Sequence, residues 1–127
     1  MNIQDRLLLI IAGLFGVIGV SLASLAAHMA DIDTGRLATA ANIMLFHTPA
    51  IIAVAIIAHI DMASKVISRL AGWFFVAGIM LFAGDLCMRV FVYDRLFANA
   101  APTGGFLIIG GWLLVSIAAI FAQKRTD

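Results

Sequence analysis

Residues 70–93 read LAGWFFVAGIMLFAGDLCMRVFVY. The segment carries no charge from Leu70 to Gly84, then sets Asp85 and Arg89 one helical turn apart. An apolar run of this length is what a transmembrane helix needs to cross a hydrocarbon core of about 30 Å. A charge inside such a helix costs about 2.5–3.5 kcal/mol on insertion scales and marks a bundle interior or an aqueous cavity. The same stretch therefore fixes the fold class and supplies the first candidate site.

Composition extends that reading to the whole chain. Of 127 residues, 64% are hydrophobic and 12% charged, and mean hydropathy is +1.11, whereas about a quarter of residues are charged in soluble domains. Four spans of roughly 20 residues use most of the length. They are expected at about 7–29, 37–60, 70–93 and 102–122, joined by the polar runs 31–36 and 61–65 and followed by Gln123-Lys124-Arg125. Pro102 suits a first helical turn. The fold class expected is an all-α integral membrane protein, a single four-transmembrane-helix bundle.

The first segment also resembles a secretory signal peptide, with Arg6, an apolar run and the small residues Ala26-Ala27. Its run from Leu7 to Ala27 exceeds the usual 7–15 residues of such a peptide, so an uncleaved span is expected. Four spans place both termini and the middle linker on one side, with Arg6, Lys65, Arg69, Lys124 and Arg125; Arg36, Arg89 and Arg95 lie on the other. The positive-inside rule then predicts an N-in/C-in protein with both termini in the cytoplasm, and the lipid bilayer is its first partner.

Net charge is +1 and the basic residues are scattered, which excludes the clustered cationic face that nucleic acid requires. Cys87 is the only cysteine and closes no internal disulfide. It reads as a small buried hydrophobe.

Polar residues inside the spans concentrate in the outer half: His28, Asn42, His47, Asp85 and Arg89. Helical rise puts His47 and Asp85 each about 10–15 Å from the outer helix ends, so that they would meet at one depth. Asn42 and His47 are about 140° apart on a straight helix. Pro49 is expected to kink the second span beside His47 by removing the N–H that would serve the Leu45 carbonyl. On the first helix Gly13 and Gly16 share a small-residue stripe with Ser21, Ser24 and His28; Ala71, Gly78 and Asp85 recur at heptad spacing on the third helix, and Gly104, Gly111 and Ala118 on the fourth. Such faces let helices approach closely.

No catalytic residues, metal or cofactor are expected. His28 and His47 lack the spacing of a zinc or haem site, His59 falls across the membrane, and no nucleophile is paired with a base by motif. His28 and His59 read as interfacial, Trp73 and Trp112 as interface or packing residues.

Several local strings are familiar in order: Ala26-Ala27-His28, Phe46-His47-Thr48, Leu81-Phe82-Ala83-Gly84-Asp85-Leu86, then Pro102-Thr103-Gly104-Gly105 and Gly111-Trp112. Together they resemble the small YgdD-type bacterial membrane family, a group of unknown function, to which a small eukaryotic transmembrane protein is also similar. The resemblance spans nearly the whole chain and implies a four-pass helical protein without an established activity. That family's third-span motif reads serine and then an aromatic where Asp85 and Cys87 stand here, so no role for Asp85 follows from it.

Two readings remain. In one the chain is a structural, accessory or interaction protein, as a homo-oligomer or within a larger membrane complex, with Asp85 and Arg89 neutralising each other as a staple. In the other, His47, Asp85 and Arg89 bind or translocate a proton or small polar solute, with His47 as the proton handler.

Overall fold

A computed structural model describes residues 1–122, so Lys124 and Arg125 of the charge argument lie outside the described residues. Four helices follow one another: α1 (Ile3–His28), α2 (Thr34–His59), α3 (Lys65–Phe91) and α4 (Ala100–Ile120). All four are long and apolar enough to cross a membrane.

Each helix begins two to five residues before its apolar run, at 3, 34, 65 and 100 rather than 7, 37, 70 and 102. Helices α1 and α2 start at side-chain caps. The Asn2 side chain accepts from the Gln4 N–H at 3.2 Å and Asp33 accepts from the Arg36 N–H at 3.0 Å, satisfying donors that a helix start leaves orphaned. Hydropathy marks the thickness of the apolar core, whereas capping marks the helix end; 26 residues of α1 rise about 39 Å, beyond a core of about 30 Å. At the other ends the helices stop one or two residues earlier than expected. Tyr93 takes φ 60° and Asn99 φ 65°, left-handed conformations that bracket the α3–α4 connection.

The helices do not close a ring. Helix α1 packs on α2, α2 on α3 and α3 on α4, with a lesser contact between α1 and α3. Helices α2 and α3 thus form the central pair, and α1 and α4 flank it. The core follows this plan: Leu8, Ala12 and Phe15 of α1 meet Leu37, Met44 and Ile51 of α2, and Ala71, Phe75 and Ile79 complete it from α3. Towards the α4 C-terminus, α2 and α4 stand off across an apolar cavity of about 260 Å³ lined by Val54, Ile57, Val115 and Ala118.

Small residues decide how close α3 and α4 come. A Cβ built on Gly104 would lie 2.6 Å from the Gly78 carbonyl oxygen and 2.6 Å from the Phe82 nitrogen, and one on Gly78 would lie 2.8 Å from the Gly104 oxygen. These neighbours are backbone, so alanine at either position would force the helices apart at about 1–3 kcal/mol. A Cβ on Gly111 would meet the Phe75 ring at 2.6 Å.

The stripe expected on α1 is a correction. Gly13 has no atom within 4 Å of its Cβ position and Gly16 only an ordinary contact at 3.7 Å with Thr48. Gly13, Ser21, Ser24 and His28 all face outward. The buried stripe is Leu8, Ala12, Phe15, Gly19 and Leu22, with Gly19 as the close approach to Leu45 of α2. Burial of large side chains outweighed the small-residue pattern in setting the helix's rotation.

Pro49 sits inside α2, which runs unbroken from Thr34 to His59. The ends of the bundle are tied by polar contacts. At the N-terminal end Arg69 grips Asp5 through two parallel bonds, Nε to Oδ1 at 2.8 Å and Nη2 to Oδ2 at 3.0 Å. Beside it the Ser64 N–H donates to the Ala118 carbonyl at 3.3 Å.

Candidate functional site

Asp85 is fully buried although it lies within the last two turns of α3. Both of its oxygens are occupied. Oδ2 accepts from the Arg89 Nε at 2.8 Å, and Oδ1 accepts from the backbone N–H of Leu96 at 2.8 Å. The first bond is the helical i,i+4 pair visible in the sequence. The second reaches eleven residues forward and fastens the α3–α4 connection to α3. Arg89 keeps a third of its side chain exposed, consistent with a guanidinium that extends towards the interface.

His47 occupies a separate centre. Its Nδ1 lies 2.8 Å from the Ile43 carbonyl oxygen and its Nε2 is 3.1 Å from the indole Nε1 of Trp112. A carbonyl can only accept and an indole N–H can only donate, so the proton sits on Nδ1 and Nε2 is the acceptor. A second proton at Nε2 would set two donors against each other. The imidazole also packs at 5.6 Å from the Phe75 ring, and Phe75 meets Trp112 edge-on at 5.1 Å. This triad joins α2, α3 and α4 in the gap where α2 and α4 are not in close backbone contact.

His47 and Asp85 do not meet. His47 packs on Phe75, which precedes Asp85 by ten residues of the same helix, or about 15 Å of rise. The shared depth expected from sequence fails because α2 begins earlier than its apolar run, leaving His47 about 20 Å from the Thr34 end while Asp85 is about 9 Å from the Phe91 end. Asn42 is exposed and turned away from His47, and its side chain makes no hydrogen bond among the described residues. His28 is exposed at the end of α1, with Nδ1 2.9 Å from the Ser24 carbonyl oxygen. The imidazole of His47 uses the Ile43 carbonyl, not the Leu45 carbonyl that Pro49 deprives of its donor.

Every buried side-chain nitrogen or oxygen among the described residues has a partner. No group of three or more His, Cys, Asp or Glu that could hold a metal occurs among them.

Three contacts lay beyond the sequence reading. Trp112 reads as packing, and its donor role needs the fold to bring it to His47. Arg69 reads as a topology charge, although Asp5 near the start of α1 was a signal that a partner was available on the same side. The Leu96 N–H belongs to a loop backbone and has no sequence signature.

The family model described as Protein of unknown function (DUF423) matches residues 22–105. The UPF0382 inner membrane protein YgdD of Escherichia coli strain K12 is 29% identical, the match covering 95% of each chain. The UPF0382 membrane protein SH2409 of Staphylococcus haemolyticus is 25% identical over 89% of this chain and 94% of its own. A Staphylococcus aureus relative, UPF0382 membrane protein SAB0533, is 34% identical over 53% of this chain and 55% of its own. No solved structure matches.

The two bonds of Asp85 separate two variants. Asp85→Ala strands both the Arg89 guanidinium and the Leu96 N–H and is expected to cost about 2–3 kcal/mol, below the range of a fully buried pair because Arg89 is partly exposed. Asp85→Asn keeps an acceptor for Leu96 and should cost less. Reversible unfolding in mixed micelles measures both, and equal losses would show that the loop bond contributes nothing.

Proposed function

This chain belongs to the family described as Protein of unknown function (DUF423), and from that premise we propose that it is a non-enzymatic structural or accessory protein of the bacterial inner membrane that works through contact with a second copy of itself. The name of the Escherichia coli relative supports the location. The carrying observation is a contrast between two kinds of polar residue. Asp85 and His47 are buried and held by partners within the chain, whereas Asn42 presents a primary amide outward from the third turn of a membrane-length helix.

An amide in hydrocarbon without a partner is costly. It carries both donors and an acceptor, so two Asn42 side chains are self-complementary across a two-fold axis, as an isologous interface requires. Thr39, Phe46, Pro49 and Ala53 share the exposed face of α2 with it. Polar side chains joined across membrane helices contribute about 0.6–2 kcal/mol.

The non-enzymatic reading is supported by where the hydroxyls go. Those of Ser21, Thr39, Thr48 and Ser116 each donate to a carbonyl of their own helix rather than to a base. The alternative, translocation of a proton or small polar solute, needs His47 and Asp85 on one path. Their separation and their separate bonding weigh against it.

In the proposed orientation both termini face the cytoplasm, on the side of Arg6, Lys65 and Arg69. A periplasmic reporter joined after Asp127 should then be inactive; activity would reverse the orientation. For self-association, the full chain labelled with donor and acceptor dyes and reconstituted in liposomes should show energy transfer that rises with protein-to-lipid ratio. Asn42→Leu should raise the dissociation constant about three- to thirtyfold, the range of 0.6–2 kcal/mol. A monomer at every ratio, or a variant that associates as the parent does, would contradict the reading.

A further inference from the structure

The helix end opposite the termini gathers three arginines from different parts of the chain. Arg36 lies in the first turns of α2, Arg89 in the last turn of α3 and Arg95 in the α3–α4 connection. With Tyr93 and Asp94 they line an open pocket of about 350 Å³. Three guanidinium groups face it together with the Asp94 carboxylate, and Asp33 and Asp85 offset the charge of Arg36 and Arg89, so the recess is distinguished by its density of N–H donors. Two neighbouring carboxylates are engaged by these arginines: Asp33 by Arg36 Nη1 at 2.9 Å and by the Arg36 N–H at 3.0 Å, Asp85 by Arg89 and also by the Leu96 N–H. Even Asp94 is held, its Oδ1 accepting the Arg95 N–H at 2.8 Å.

What remains unspent is donor capacity. Arg89 uses only Nε on Asp85, which fixes its plane and leaves both terminal nitrogens directed elsewhere. Arg36 uses only Nη1 in its ion pair. Arg95 has no carboxylate within 4.0 Å among the described residues. Guanidinium forks match phosphate oxygens in pairs, and a charge-assisted bond is roughly twice as strong as a neutral one. Tyr93 is 86% exposed beside them, an aromatic with a hydroxyl at the level where headgroups lie.

We propose that the Arg36, Arg89 and Arg95 pocket binds a phosphate group, presented either by the headgroup of an anionic phospholipid or by a small soluble phosphate ester. Arg89 is the fixed member, oriented by Asp85, and Arg36 and Arg95 close on the ligand from the two flanking segments. The pocket is at the end of the bundle away from the termini, so the assignment is independent of whether the chain self-associates and of which way it faces.

The test uses the full-length protein in neutral detergent, with native mass spectrometry reading bound lipid and thermal unfolding reading stabilisation. The probes are phosphatidylglycerol, phosphatidylcholine and inorganic phosphate, each titrated separately. Arg95→Gln and the double variant Arg36→Gln/Arg95→Gln leave the Asp85 clamp intact, and Lys65→Gln removes the same charge at the opposite end. Phosphatidylglycerol should bind the parent in preference to phosphatidylcholine, and each arginine removed should weaken that binding about tenfold, with Lys65→Gln unchanged. Protection by inorganic phosphate alone, lost in the same variants, would identify a soluble phosphate ester as the source and would equally support the pocket. Binding that is unchanged in the double variant, or lost equally in Lys65→Gln, would overturn the proposal.

Discussion

The buried carboxylate of Asp85 sets the terms for the end of this molecule at which α3 gives way to α4. Inside a membrane no water is available to complete a polar group, so each donor and acceptor must be satisfied by the chain itself. Asp85 meets that demand by accepting from one side chain of its own helix and one backbone N–H of the following loop. The same two bonds that neutralise the charge therefore decide where α3 ends and where the connection to α4 runs. With the loop fixed, Asn99 and Ala100 start α4 in a position from which Gly104 can reach Gly78.

Those glycines then carry the arrangement inward. Backbone contact between α3 and α4 is possible only where neither helix bears a Cβ, as at Gly78 and Gly104, and further along the seam Gly111 leaves room for the Phe75 ring. The approach draws Trp112 over Phe75 and brings its indole N–H to His47. Helix α2 is thereby linked to α4 by the hydrogen bond and the ring contact of His47 with Trp112, without close backbone packing between them. At the opposite end the Asp5 and Arg69 fork performs the corresponding service for α1 and α3. Polar groups in this chain act chiefly as fasteners between elements that apolar packing alone leaves loosely joined.

The four helices and the α3–α4 seam were legible because each depends on local pattern: hydropathy over about twenty residues, and small residues at heptad spacing on α3 and α4. Asp85 with Arg89 was legible for the same reason, being a single-turn pair. Rotation of α1 was not, since the stripe of Gly13, Ser21, Ser24 and His28 competes with that of Leu8, Ala12, Phe15 and Leu22, and only the packed partner shows that the larger side chains are inside. The depth of His47 was misjudged because an apolar run does not disclose a cap such as Asp33. Its partner Trp112 stands sixty-five residues away and the partner of Asp85 is a backbone amide; neither leaves a trace in residue spacing.

The claim that Asp85 is a fastener rests on one bond more than any other, the Leu96 N–H held by Oδ1. Amide hydrogen exchange of the full chain in micelles, resolved residue by residue, reads that bond directly. Leu96 sits in a connection whose side chains are all exposed, so without the bond its amide should exchange as fast as those of Tyr93 and Asp94. The structure predicts that Leu96 is protected well above both, and that the protection disappears in Asp85→Ala while α3 and α4 stay protected. A Leu96 amide that exchanges with its neighbours in the parent protein would contradict the account and return Asp85 to the status of a charge in search of a role.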